Sequence, residues 1–193
     1  MARPTWPCRE TPVSELLAYH DLLGQAVGFV ALVLCIAAFA SKDDDRLLVI
    51  LIFGNTAFAL QYALFAAWAA AGIMTLNLLR VVLARRMPRN RIATALFLAA
   101  TVAVAAATWR NATDVFPLAA GVTGTIAMFM LRGIPMRVGL IITALCWIVT
   151  TALIGSYGAL AAEVLILATN LITVGRLVRD AYARPPEQER KAA

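Results

Sequence analysis

The charged residues of this chain stand in clusters, and long apolar runs lie between the clusters. Leu22 to Ala40 is uncharged throughout and ends at Ser41-Lys42-Asp43-Asp44-Asp45-Arg46. Leu47 to Ala84 holds 38 residues with Arg80 as its only charge, and the basic loop Arg85 to Arg91 follows. Ile92 to Trp109 and Val115 to Leu131 are two shorter runs, parted by the polar stretch Arg110 to Asp114. Arg132 to Arg137, with Gly133 and Pro135, reads as a turn. Val138 to Gly175 is again 38 residues with one charge, Glu163. None of these runs alternates with period two, so each reads as helix. A membrane span needs ~20 apolar residues, because the hydrocarbon core is ~30 Å thick and leaves no loose backbone group satisfied. A single helix of 38 residues would reach about 57 Å. Each long run is therefore expected to be a hairpin of two spans. The turns are expected near Trp68 and at Gly155-Ser156-Tyr157-Gly158. The pattern predicts seven spans.

Their order contains a repeat: one span, a polar loop and a 38-residue hairpin, then a lone span, then the first pattern again. Gly28 and Gly121 are 93 apart, and Asn77-Leu78-Leu79-Arg80 parallels Thr173-Val174-Gly175-Arg176 at 96, so the second hairpin carries about three extra residues. Three helices begin and end on opposite sides of a membrane. One further helix between two such units restores the starting side, so the units run parallel. The expectation is an all-α integral membrane protein: seven transmembrane helices as two parallel three-helix repeats joined by a linker helix (3+1+3). It divides into an extramembrane N-terminal tail (1–20), a first repeat (21–86), a linker helix with its loops (87–113), a second repeat (114–179) and a charged C-terminal tail (180–193). The chain from Arg176 to Ala193, charged and with Pro185-Pro186, reads as disordered. Val13 to Tyr19 reads as lying in the membrane interface.

Composition agrees with a membrane protein. Hydrophobic residues make up 62% of the chain and the mean hydropathy is +0.80, against about 45–50% apolar in soluble domains. The net charge of +6 would suggest nucleic acid on a soluble protein, but the basic residues flank apolar runs and no nucleic-acid motif occurs. Seven spans divide the 17 Lys and Arg residues 14 to 3. The poor side, with Arg3, Arg9 and Arg110, also carries the aromatic residues Tyr19, Trp68, Trp109, Phe116 and Tyr157. The positive-inside rule then puts the N-terminus outside and the C-terminus in the cytoplasm. Residues 1–20, with Pro4, Pro7 and Pro12, do not read as a signal peptide. Cys8, Cys35 and Cys146 form no CxxC pair and His20 has no partner cluster, so neither a disulfide framework nor a metal site follows and no cofactor is expected.

Gly24-Gln25-Ala26-Val27-Gly28, the turn Phe39 to Arg46, Leu76-Asn77 with Arg80, Leu118 to Thr125, Cys146-Trp147, Ser156-Tyr157-Gly158 through Glu163, and Asn170 to Arg176 form an ordered set of landmarks. In these the chain resembles the YgjV-type bacterial inner-membrane proteins. The resemblance spans His20 to Arg179. It implies the bacterial inner membrane as location. The layout is similar to the wider SWEET and PQ-loop group, most of whose members move small solutes.

Polar side chains inside apolar runs are the candidates for function, since lipid makes them costly. Asn77 and Asn170 come first. In the SWEET group, asparagines on the corresponding helices face each other across a central pocket, and an amide offers two donors and an acceptor to a polar solute. The plainer reading is interhelical hydrogen bonding. Thr173 is the formal repeat mate of Asn77. Trp147 could stack on a ring or fill a helix interface. Asn55 could line the same pocket, with Gln61 nearer the outer end. Glu163 could carry a proton in coupled transport, or reach water or a hydroxyl. Arg80 and Arg176 are expected to snorkel from helix ends, and the Gly24/Gly28 and Gly121/Gly124 pairs to pack helices. Asp43-Asp44-Asp45 reads as a solvated loop, and Asn111-Ala112-Thr113 matches a glycosylation sequon lying close to the membrane. There is no HExxH, GxSxG or paired-acid motif, so an enzyme is not expected. The expected function is a SWEET-like small-solute transporter or facilitator, embedded in the bilayer, with a homo-oligomer among the arrangements left open. The alternative is a membrane scaffold or accessory protein without its own solute.

Overall fold

The computed structural model describes residues 12–40, 44–86 and 89–183. These form seven α-helices and one short 3₁₀ turn, with no strand among the described residues. The helices are α1 (Pro12–Ala40), α2 (Asp44–Leu64), α3 (Trp68–Arg86), α4 (Arg91–Thr108), α5 (Val115–Met130), α6 (Gly133–Ile154) and α7 (Tyr157–Ala183), with the 3₁₀ turn Ala112–Asp114 leading into α5. Both 38-residue runs are hairpins, as their length requires. Five of the helices, α1 and α4 to α7, contain segments long and apolar enough to cross a membrane, and Trp68–Leu83 in α3 is a shorter apolar helix. Residues 184–193, expected to be disordered, and the Asp43 end of the acidic loop lie outside the described residues.

Several boundaries differ from expectation. Helix α2 starts at Asp44, inside the segment read as a polar loop, and α7 continues to Ala183, into the tail read as disordered from Arg176. The helix of the first span starts at Pro12, within the segment read as a tail, and runs unbroken to Ala40. The first hairpin turns at Phe65–Ala67, so Trp68 opens α3 rather than forming the turn. And α6 begins at Gly133, not after a turn reaching Arg137. Pro135 is tolerated there because the first turn of a helix has no intrahelical partner for its N–H groups. The connection from α5 shrinks to Leu131 and Arg132, and Arg137 becomes a helical residue.

The two hairpin turns use one device. Ala67 N–H donates to Tyr62 O at 2.9 Å, across Ala66 at φ 54°. Ser156 N–H donates to Thr151 O at 3.0 Å, across Gly155 at φ 78°. Each is a left-handed helix cap that satisfies orphan carbonyls. Glycine adopts that conformation freely, whereas alanine pays about 1–2 kcal/mol for it.

The helices pack as a ring in the order α1, α2, α3, α5, α6, α7, closed by α7 against α1, while α4 lies against α3 and α5. The exterior is apolar: Ile92 is 73% exposed and Leu22 70%. The interior holds polar side chains, among them Gln61, Arg80, Thr125, Glu163 and Asn170. Water would not leave that much apolar surface bare on a soluble monomer. Hydrocarbon covers it without cost. Small residues let the ring close. Gly158 of α7 approaches Gly28 of α1 so closely that a Cβ on Gly158 would stand 2.5 Å from the Gly28 carbonyl carbon. The Gln61 amide lies over Gly28, donating from Nε2 to Ser156 Oγ at 2.6 Å. Beside it, Gln25 donates to Gly155 O at 2.6 Å and accepts from Tyr157 N–H at 3.2 Å. These bonds tie α1 and α2 to the α6–α7 turn.

Candidate functional site

Inside the ring is a cavity of about 260 Å³. Asn55 of α2, Asn77 of α3, Trp147 of α6, and Glu163 and Asn170 of α7 all line it. Five residues singled out in the sequence for their polarity or size within apolar runs thus meet at one place. Thr173 is not among the lining residues. Its hydroxyl donates to Thr169 O at 2.7 Å, within its own helix. Gln61 is fully buried and belongs to the α1–α7 junction instead.

Two arginines complete the lining, and neither was expected there. Arg80 does not snorkel. It is only 4% exposed, and its guanidinium turns under α5. Nη1 donates to Gly121 O at 2.9 Å and to Thr125 Oγ1 at 3.1 Å, while Nη2 donates to Asn77 Oδ1. Gly124 makes the room: a Cβ there would come within 2.7 Å of Nη2. The glycines expected to pack helices thus also seat a cation. Arg137 reaches the cavity because α6 starts early, and its Nη1 donates to Asn170 Oδ1 at 3.2 Å. The sequence did hold a signal for Arg80, as the sole charge of a 38-residue apolar run and one helical turn from Asn77. Arg137 gave none, since Pro135 masked the helix start.

Each asparagine is therefore committed on its acceptor side to an arginine. Their amide nitrogens stay local, Asn77 Nδ2 near Met74 Sδ at 3.6 Å and Asn170 Nδ2 donating to Ile166 O at 2.9 Å. Glu163, 7% exposed, has no hydrogen-bond or ion-pair partner among the described residues, so the reading in which it reaches a hydroxyl does not hold there. Cys35 of α1, Arg80 and Arg137 share its cavity, and Tyr62 of α2 lies within its electrostatic reach. Trp147 is stacked on Tyr62, with centroids 5.6 Å apart and planes 7° off parallel.

A second, wider cavity of about 720 Å³ opens at the end of the bundle that carries both hairpin turns. His20, Phe65, Trp68, Arg110, Thr150 and Ile154 are among its lining residues. Along α2, Phe58 lines the inner cavity and Leu64 the outer one. Along α6, Trp147 lines the inner and Thr150 the outer. The Tyr62–Trp147 stack lies at the level between them.

An apolar exterior, helices long enough to span and a polar interior define a multi-pass membrane protein. The chain belongs to the YgjV family of bacterial inner membrane proteins: that family's model, described as a bacterial inner membrane protein, matches residues 22–181. It is similar to the inner membrane protein YgjV of Escherichia coli (strain K12), with 24% identity over 157 residues, 81% of this chain and 85% of that one. No solved structure matches it.

Proposed function

We propose that this protein carries or facilitates a small solute across the inner membrane, using the central cavity as its binding site. The observation that carries the reading is the gathering of Asn55, Asn77, Trp147, Glu163 and Asn170 around one interior space. A cavity of about 260 Å³ lies just below the ~300–1,000 Å³ of small-molecule pockets, a size that suits a small metabolite. A scaffold without a solute has no use for a cavity lined by ionised side chains, whose burial is costly.

In this reading all seven helices span, arranged 3+1+3 as in SWEET-like carriers. The helix contacts support it. Exchanging α1, α2, α3 for α5, α6, α7 maps the adjacencies of the ring onto themselves and leaves α4 as the odd helix. The matched left-handed caps of the two hairpins support it too. Repeat interfaces are where such carriers bind their solutes. The aromatic stack of Tyr62 and Trp147 then closes the inner cavity against the outer one, and its parting would be the opening step. The 14-to-3 division of basic residues supports a cytoplasmic C-terminus in this reading.

Uptake by proteoliposomes of the purified protein, screened over labelled sugars, amino acids, nucleosides and carboxylates, tests the proposal. Asn77→Ala and Asn170→Ala should each abolish the uptake found while the protein still folds, with a melting point lowered by the loss of the arginine's acceptor. Uptake no greater than in empty liposomes across the whole screen refutes it.

A further inference from the structure

The two arginines of the central cavity have a consequence for what it binds. Arginine stays charged in proteins. A buried cation is tolerated when it is paired with an anion. Yet among the described residues neither the buried Arg80 nor the half-buried Arg137 has a carboxylate partner. Arg80 spends three of its five N–H groups on neutral acceptors, Gly121 O, Thr125 Oγ1 and Asn77 Oδ1, and its Nε is buried with no partner among the described residues. Arg137 spends one, on Asn170 Oδ1. Neutral acceptors fix where a guanidinium points but leave its charge uncancelled. Among the described residues Glu163 is the one carboxyl lining the cavity. Its place on α7 is seven residues before Asn170, about 10 Å along the helix at 1.5 Å per residue. The cavity thus has a cationic end at the two arginines and asparagines.

We propose that the cavity binds a small organic carboxylate, its carboxylate group held by Arg80 and Arg137. A guanidinium fork matches the two oxygens of a carboxylate, and charge-assisted bonds of this kind are the strong ones. The apolar remainder of the wall, with Phe58, Met74, Leu140 and Ile166, suits a solute with an apolar body better than a polyol. Asn77 and Asn170 become positioning residues here, aiming the guanidiniums through their Oδ1 atoms.

The inference rests on the carrier reading only for movement of the solute; binding stands by itself. The test uses the purified full-length protein in detergent, by thermal shift and calorimetry. The probes are butyrate, benzoate and phenylacetate, each against its uncharged amide, with inorganic phosphate and glucose alongside. The expected result is saturable stabilisation by at least one carboxylate, with its amide at least about tenfold weaker, because a site built for one polar group rejects the isostere lacking it. Arg137→Gln should remove the carboxylate effect, and Arg137→Lys should retain part of it. Should Arg137→Gln fail to fold, Arg137→Lys still reads the loss of the fork as weaker carboxylate binding with unchanged amide binding. Three outcomes overturn the proposal: acid and amide binding alike, none of the three carboxylates binding, or phosphate binding more tightly than all of them. Carboxylate binding without proteoliposome uptake sinks the carrier reading and leaves this one standing. Uptake of glucose without carboxylate binding does the reverse.

Discussion

Two glycines on α7 should respond in opposite directions to the same substitution. At Gly158 an added Cβ would meet the Gly28 carbonyl carbon at 2.5 Å, the Gly28 oxygen at 2.6 Å and the Phe29 nitrogen at 2.8 Å. Ordinary contact begins near 3.4 Å, so the shortfall is 3.4 − 2.5 = 0.9 Å. All three atoms are backbone, and no rotamer change relieves them. Helices α1 and α7 must separate, and they form the contact that closes the ring. Overpacking of this kind costs about 1–3 kcal/mol, at times more. The bonds of Gln61 to Ser156 and of Gln25 to Gly155 sit at the same junction and are each worth about 1 kcal/mol. At Gly175 nothing lies within 4 Å of the added Cβ. Gly175→Ala should instead stabilise by about 0.5–1 kcal/mol through helix propensity. Thermal unfolding of both variants in one detergent gives the comparison, with the melting point falling by roughly 2–12 °C for Gly158→Ala at ~2–4 °C per kcal/mol. A Gly158→Ala protein as stable as wild type would show that α1 and α7 do not pack in this way.

Ala66→Gly should stabilise the protein by about 1 kcal/mol, because the residue caps α2 in a left-handed conformation that glycine adopts without strain; the melting point measures it, and a loss of stability counts against the cap. Reporter fusions after residues 45, 90, 134 and 193 should read cytoplasmic and those near Arg110 external. A cytoplasmic reading at Arg110 removes the linker helix and the parallel repeat with it. Glu163→Gln should flatten the pH dependence of uptake, and an unchanged pH profile would take proton coupling away from this carboxyl.

The number and order of the helices were legible along the chain because lipid imposes a one-dimensional rule. A span is an uncharged stretch of fixed length, and 38 apolar residues cannot be one helix. Polar residues that break that rule, Asn77, Glu163 and Asn170, stood out for the same reason, and they share a cavity. Turn chemistry was half legible. Gly155 advertises a left-handed cap, but Ala66 takes the same conformation with no glycine to mark it, and only the neighbouring Trp68 points to the turn. What the chain could not disclose was the direction in which a long side chain points. An arginine near the end of an apolar run reads as snorkelling by default. Arg80 turns inward only because Gly121 and Gly124, more than forty residues away, leave a carbonyl and a space under α5. Arg137 joins it only because the helix starts at Gly133 and accommodates Pro135 in its first turn. Apolar run length is a property of neighbouring residues and the sequence by itself determined it. The charge of the cavity depends on which helix faces which, and only tertiary packing decided that.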